Sequence, residues 1–384
     1  MTQEKESAMY AESSRRKLSL GFVGGGLNSA VGYTHFLASR MDGFFSVDAG
    51  FFSRDPSVNA ETATTYGVSA SRCYDNLDAL LESERGNLDA LCILTPIPDH
   101  IHSAIKAMNA GFDIICEKAL ASSENEAQAI YECQRATGRS FLITFNYVGY
   151  PMVREAKAMI SRGDLGVVQQ GYFEMPQESF ARPEANPQSW RRRDYGLPCV
   201  TLDLGVHVHH MIEYLLSGGG FEPVAATTSS FGRIPEVLDT VNTCGWSRTK
   251  NIMLNSMWTK AALGYANGLK FRVFGSAGSI EWHQTRPEEL SYTDSCGKRM
   301  SIERGQPNLL EANKSRYNRF KAGHPAGFVE AFANIYSDFH AILTGAQQEH
   351  PVYGIGAALQ GLSDLHQIHK LSVDKPLSDA DEGK

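Results

Sequence analysis

Two places along the chain carry side chains whose types and spacing could do chemistry. Lys118 follows Glu117 directly after the apolar run Phe112 to Cys116. A lysine leaving a buried strand can hold an ammonium against a ligand oxygen and stabilise negative charge developing there, whereas a lysine on an ordinary surface does neither. Asp203 and His207 lie four residues apart in LDLGVHVHH. On a helix that spacing puts carboxylate and imidazole on one face, where they can hydrogen-bond. The carboxylate would fix the imidazole tautomer and favour its charged form, so that His207 can both take and return a proton near neutral pH. A purely structural Asp/His pair has the same spacing, and the pair alone leaves both readings open. His210 shares that face too, but no further Cys or His is placed to complete a coordination sphere, and no metal is assigned.

These groups need elements to position them. In Leu18 to His35, LSLGFVGGGLNSAVGYTH, an apolar strand-like run stops at Gly24-Gly25-Gly26, and the small residues Ser29 to Gly32 can open a helix. Strand, glycine-rich turn and helix in that order suit a dinucleotide. Gly24 would make the tight turn, Gly26 would let backbone approach a pyrophosphate, and the helix N-terminus would offer free N–H groups. The third small position is Ser29, so the pattern is GxGxxS, which by itself also fits a β-turn-α junction without a ligand. The context is stronger. Strand-like runs at 44–53, 88–96, 112–118 and 140–146 alternate with helical patterns at 60–67, 77–83, 102–111 and 124–138. Strands apolar on both faces, alternating with helices, predict a doubly wound parallel sheet, an α/β Rossmann domain over 18–146.

Beyond Asn146 the texture changes. A helix (152–163), a mixed strand (167–175), a loop containing Pro and Arg (176–199) and the Asp203–His207 helix, ended by glycines, precede several strand-like runs with no helices between them. This predicts an α+β domain over 147–375 with a large, mostly antiparallel open sheet, one face packed and the other free to meet a partner subunit. In 325–343, Phe328, Phe332, Ile335, Tyr336 and Phe339 form a helical core stripe. Residues 1–17 read as a disordered extension and 376–384 as a polar tail.

At 384 residues the chain exceeds the ~250–300 at which single cores stop growing, in agreement with two domains. A net charge of −7, with basic clusters only at Arg15 to Lys17 and Arg191 to Arg193, excludes a nucleic-acid groove. Seven cysteines, odd in number and without a CxxC pair, point to a reducing compartment. Residues 1–17 lack the apolar core of a signal peptide, and no stretch reaches the ~18 apolar residues of a membrane span, so a cytoplasmic protein without a membrane partner is expected.

Taken together, the glycine-rich turn with His35 beyond it, Thr95-Pro96 followed by His100, Glu117-Lys118, Phe145-Asn146-Tyr147, Trp190-Arg191 and Asp203 to His207 resemble the Gfo/Idh/MocA family of sugar and inositol dehydrogenases from about Leu18 to Leu371. The run 323–336 is similar to that of members acting on levoglucosan, inositols and related polyols. The resemblance implies a catalytic Lys118 and His207 with Asp203 as partner. It implies NAD or NADP bound by Gly24, Gly26, Leu27, Asn28, Ser53, Arg54, Asp55, Thr95, Pro96, His100, Glu117 and Lys118. A sugar or polyol is expected against Lys118, Tyr147, Trp190, Arg191, Asp203 and His207, and a homodimer or homotetramer is the expected assembly. Two departures stand out. The usual EKP is Glu117-Lys118-Ala119, which loses the φ restriction of proline. The end of the second strand, Phe52-Ser53-Arg54-Asp55, offers Arg54 to a 2′-phosphate and Asp55 to ribose hydroxyls, leaving both dinucleotides open. Two other activities suit a related site: a glycosidase that uses bound NAD for transient C3 oxidation and elimination, and a dinucleotide-sensing regulator without turnover.

Overall fold

The computed structural model describes residues 16–216, 220–249 and 251–374. Residues 1–15 of the expected extension, the expected tail and the glycines expected to close the Asp203–His207 helix lie outside the described residues. The chain divides into two compact units. The first runs to Ala121, resumes over Asn125–Gly149 and takes back Gly327–Ala358; the second holds Ser122–Glu124, Tyr150–Ala326 and the chain from Leu359 on.

In the first unit, β1 (Leu18–Gly24), α1 (Gly32–Arg40), β2 (Phe45–Phe51), α2 (Pro56–Tyr66), α3 (Leu77–Glu84), β3 (Ala90–Leu94), α4 (His100–Asn109), β4 (Asp113–Cys116), α5 (Glu124–Thr137) and β5 (Phe141–Ile143) alternate along the chain. The five strands form a parallel sheet in the order β2-β1-β3-β4-β5. Every residue of β3 is buried, which explains its unbroken apolar sequence: a central parallel strand is covered on both faces. Helix ends follow local chemistry. Asp55 caps α2 by accepting from the N–H groups of Ser57 and Val58, Pro56 takes the first turn, and Gly67 closes the helix at φ 74°.

The helix Phe328–Thr344 also belongs to this unit and packs on α1. Four of its five stripe residues are buried, while Phe328 in the first turn stays 39% exposed and meets Phe332 edge-on. Gly149 is glycine for a packing reason: a Cβ there would stand 1.9 Å from the Ala331 carbonyl oxygen. That close approach lets Asn334 donate to the Gly149 carbonyl at 2.7 Å.

The second unit is built on nine strands: β6 (Val168–Pro176), β7 (Phe221–Ser229), β8 (Thr240–Ser247), β9 (Met253–Thr259), β10 (Lys270–Gly275), β11 (Gly278–His283), β12 (Glu289–Asp294), β13 (Arg299–Glu303) and β14 (Ser372–Asp374). They lie in the order β13-β12-β11-β10-β6-β9-β8-β7-β14, antiparallel except for β6 with β9 and β7 with β14. Burial alternates along the central strands. Phe173, Leu254, Trp258, Phe271, Val273 and Trp282 are buried on one face, and Tyr172, Asn242, Trp246, Met257 and Phe274 reach the other. Helices α6 (Pro151–Arg162) and α7 (Val206–Leu216) pack together and cover the buried face. Glu155 of α6 accepts from the backbone N–H groups of Leu310, Glu311 and Ala312, at 3.0, 2.7 and 3.0 Å, and pins the long segment before the unit's last strand. The architecture is the one expected from the sequence: a doubly wound parallel Rossmann sheet followed by an α+β domain with a mostly antiparallel open sheet.

Candidate active site

In the first unit, the β1–α1 turn is shaped by glycines that no other residue could replace without displacement. Gly24 has φ 82°, and a Cβ on it would lie 2.9 Å from the backbone of Leu94 and Thr95. Gly25 has φ 76°, and its carbonyl accepts from Tyr66 Oη at 3.2 Å. Burial, with Tyr33 nearby, pushes the Tyr66 phenol up to about 12, so it remains a donor. Gly26 packs against the end of β2, its N–H donating to the Phe52 carbonyl at 3.1 Å. Leu27 N–H donates to Thr62 Oγ1. Ser29 Oγ accepts from Val31 and Gly32, so the helix opens at Gly32, three residues later than the small-residue segment begins. The glycine of close packing is Gly32, which lies directly against Gly25, and sequence reasoning had placed the third small position of the pattern at Ser29.

Around Lys118 the side chains lock one another. Lys118, half-buried, follows β4, and its peptide bond to Ala119 is cis. Glu117 N–H donates to the Ile93 carbonyl, while its carboxylate accepts from Thr144 Oγ1 and meets His35 Nε2 at 2.9 Å. Burial pushes the Glu117 carboxyl up, but His35, the Lys118 charge and Thr144 outweigh it and hold the group ionised below the ordinary value. His35 Nδ1 in turn meets Tyr336 Oη at 2.8 Å. His100 is wedged between the carbonyls of Thr95 and Ala119, each at 2.8 Å. Burial lowers its pKa, and the neutral ring carries one N–H, so it donates to one of the two. Thr95 Oγ1 and Asn146 Nδ2 are buried without a hydrogen-bond partner among the described residues. At the end of β2, Asp55 spends its carboxylate on the α2 cap, and Arg54 is exposed beside it. Left-handed glycines, the N-terminus of α1 and an orphaned hydroxyl at the end of β3 fit a dinucleotide, which would be held by Gly24 to Asn28, Thr95 and the β2 exit.

The second unit holds the other group. Thr201–Gly205 is a π-helical turn that runs into α7. It rests on Trp258, whose Nε1 donates to Thr201 Oγ1 at 3.1 Å. A Cβ at Gly205 would come within 2.9 Å of the same ring, which explains the glycine between Asp203 and His207. Asp203, His207, His209 and His210 are all buried. Asp203 Oδ2 accepts from Arg191 Nε at 3.0 Å and from Lys260 Nζ at 2.8 Å. Arg191 also donates to Gln188 Oε1 and stacks over Trp190, with its guanidinium carbon 4.3 Å from the ring centre. His209 belongs to a separate ion cluster with Asp364 (2.9 Å), which Arg248 joins at 2.8 Å. Burial, with His209 adjacent, holds the His210 pKa well down. Among the described residues no group of three His, Cys, Asp or Glu side chains could hold a metal. Tyr147 is buried in the short turn Asn146–Gly149 of the first unit.

The structure therefore gathers Thr95, His100, Glu117 and Lys118 in one unit and Trp190, Arg191, Asp203 and His207 in the other. Lys260 was not among the residues singled out from the sequence. Its signal was present, since it follows the half-buried strand β9 directly, much as Lys118 comes two residues after β4.

A parallel sheet with a glycine-locked β1–α1 turn, a lysine beyond its fourth strand and, on a separate α+β unit, a buried aspartate and histidine four residues apart have the architecture of a nicotinamide-dependent oxidoreductase. The family model for the Gfo/Idh/MocA oxidoreductases with an NAD-binding Rossmann fold matches residues 18–145, and that for the Gfo/Idh/MocA C-terminal domain matches 153–281. The chain belongs to the Gfo/Idh/MocA family of oxidoreductases, and its first domain is the NAD-binding one. An uncharacterized oxidoreductase, YfiI, of Bacillus subtilis is 28% identical over 87% of each chain. Levoglucosan dehydrogenase of Pseudarthrobacter phenanthrenivorans is 28% identical over 72% of this chain and 76% of its own. An inositol dehydrogenase homologue of Azotobacter vinelandii, solved with NADH and myo-inositol, superposes with a TM-score of 0.83 at 28% identity, covering 92% of this chain and 96% of that one.

Proposed function

We propose that the protein is an NAD(P)-dependent dehydrogenase or reductase acting on a secondary hydroxyl or ketone of a sugar, anhydrosugar or inositol. The observation that carries this reading is the turn at Lys118, which buried Glu117 and His100 fix at the carboxyl end of β4, where ligands of open α/β sheets bind. The named substrates of the relatives supply the chemical class. The bound dinucleotide supplies the hydride acceptor. His207 takes the hydroxyl proton as the carbinol carbon is oxidised and returns it in reduction. The Lys118 ammonium donates to a substrate oxygen and stabilises its alkoxide character. Asp203 orients the imidazole, while Trp190 offers an aromatic face to C–H surfaces and Arg191 and Tyr147 offer donors to hydroxyls. A cytoplasmic location is part of the proposal, supported by free cysteines. Among the described residues no helix is long and apolar enough to cross a membrane.

Purified protein given NAD or NADP and a panel of inositols, hexoses and levoglucosan is expected to generate reduced nicotinamide with at least one cyclic polyol. The same ligands are expected to raise the melting temperature, since saturation at about 100 Kd stabilises by ~2.7 kcal/mol. Stabilisation by dinucleotide without turnover of any polyol would show a sensor instead. Release of an aglycone from a glycoside without net reduced cofactor would show a glycosidase.

The outer sheet face is proposed to seat a second copy of the chain. It exposes Trp246 and Phe274 and carries a shallow concavity of about 470 Å³ lined by Tyr172, Thr227, Asn242, Cys244, Asn255 and Met257. Light scattering is expected to give the mass of a dimer or tetramer; a monomer at micromolar concentration would exclude this face as a stable interface.

A further inference from the structure

Lysine is almost never fully buried unless it is paired, and Lys260 is 5% exposed. Its backbone is fixed on both sides: its N–H donates to the Asp239 carbonyl and its carbonyl accepts from Phe180 N–H, both at 2.8 Å. The ammonium lies 2.8 Å from Asp203 Oδ2, 3.4 Å from Gln177 Oε1 and 5.3 Å from the centre of the Phe180 ring. Arg191 reaches the same carboxylate oxygen from a more exposed loop. The strand that leads into Lys260, β9, also carries Trp258, which holds Thr201 and abuts Gly205. One strand and its exit thus fix the beginning, middle and end of the π-helical turn that leads into α7, of which His207 is the second residue.

We propose that Lys260 is a positioning residue of the reaction: its ammonium anchors the Asp203 carboxylate, and with it the turn that aims His207. The proposal rests on the reading of His207 as the proton carrier. Arg191 alone cannot serve, because its guanidinium is shared with Gln188 and Trp190 on a loop whose neighbours Arg192 and Arg193 are exposed. An ammonium on a stem clamped at both backbone groups gives the carboxylate a single address, and misplacement of a reacting group by about 1 Å can cost ~100-fold in rate.

The test is steady-state kinetics of the full-length protein with NAD and its best polyol, for Lys260→Met, Lys260→Arg, Asp203→Asn and the double variant Lys260→Met/Asp203→Asn. Lys260→Met is expected to lower kcat about 10- to 100-fold, with both KM values within about threefold of wild type. Lys260→Arg should restore most of the loss. In the Asp203→Asn background, Lys260→Met should cost nothing further, because the two side chains act as one unit. A merely structural lysine would instead give additive losses and a lower melting temperature without recovery of kcat by arginine. The proposal is overturned if Lys260→Met stays within about twofold of wild type, or if the two effects add, while His207→Ala is impaired. If His207→Ala is itself unimpaired, the functional reading beneath has failed instead. Should Lys260→Met not fold, Lys260→Gln takes its place in the same cycle.

Discussion

Replacement of His207 by alanine is expected to lower kcat/KM for the polyol by ~10²- to 10⁴-fold, the range that a positioned general acid-base contributes. The imidazole is buried on α7, one turn past Asp203, in a segment held from below by Trp258. Alanine removes the proton carrier and leaves that support in place. His207→Gln, which keeps polarity and approximate volume but transfers no proton, should lose as much. NAD affinity should hold within about twofold, because the residues that fit the dinucleotide belong to the first unit. Rates within about tenfold of wild type for both variants, with unchanged cofactor binding, would remove His207 from the chemistry.

Gly32→Ala is expected to weaken NAD binding and the fold together. A Cβ at Gly32 would stand 2.1 Å from the Gly25 carbonyl oxygen and 2.6 Å from its carbon. Both obstacles are backbone, so no rotamer change relieves them. Either α1 or the glycine turn must retreat, and the turn is tied to Tyr66 and Phe52. Overpacking of this kind costs ~1–3 kcal/mol. If it falls on the bound geometry, that corresponds to about 5- to 150-fold in Kd. Titration calorimetry measures the affinity and thermal melting the stability. Gly43→Ala is the control: at φ 73° with nothing within 4 Å of the added methyl, it carries backbone strain alone and should leave Kd unchanged. An equal effect of the two substitutions, or none of Gly32→Ala, would mean that the turn does not hold the dinucleotide.

Much of this could be read along the chain. The parallel sheet was legible because β3 is buried along its whole length with an unbroken apolar run and β4 buries all but its first residue, Asp113. Lys118, Asp203 and His207 could be picked out as candidates because chemistry restricts residue type, but the expected helical spacing did not announce that Asp203 lies in a π-helical turn and pairs with Arg191 and Lys260. What escaped was tertiary. Nothing in the run before Lys260 tells which carboxylate its ammonium meets, since Asp203 is 57 positions away and the pairing is made by the fold. The strands β12 and β13 at one end of the sheet, ELSYTD and RMSIE, alternate but carry only two apolar residues each and bury little of their length, which leaves a faint signal beside their central neighbours. The stripe beginning at Phe328 announced a buried helical face without saying what covers it. Periodicity records that a face is buried, not the identity of its partner.

That last helix has a consequence for how the protein is made. His35 and Tyr336 touch across 301 positions of sequence, and Phe45 packs edge-on against the same tyrosine at 5.6 Å. A ribosome delivers the amino end first, so the dinucleotide-binding sheet leaves the exit tunnel with this flank uncovered and keeps it uncovered until nearly the whole polypeptide has been translated. Tyr150–Ala326, all of it nested inside that gap, is synthesised in the interval. The nucleotide half is begun first and completed last, and during this wait its apolar flank is the surface a chaperone would meet.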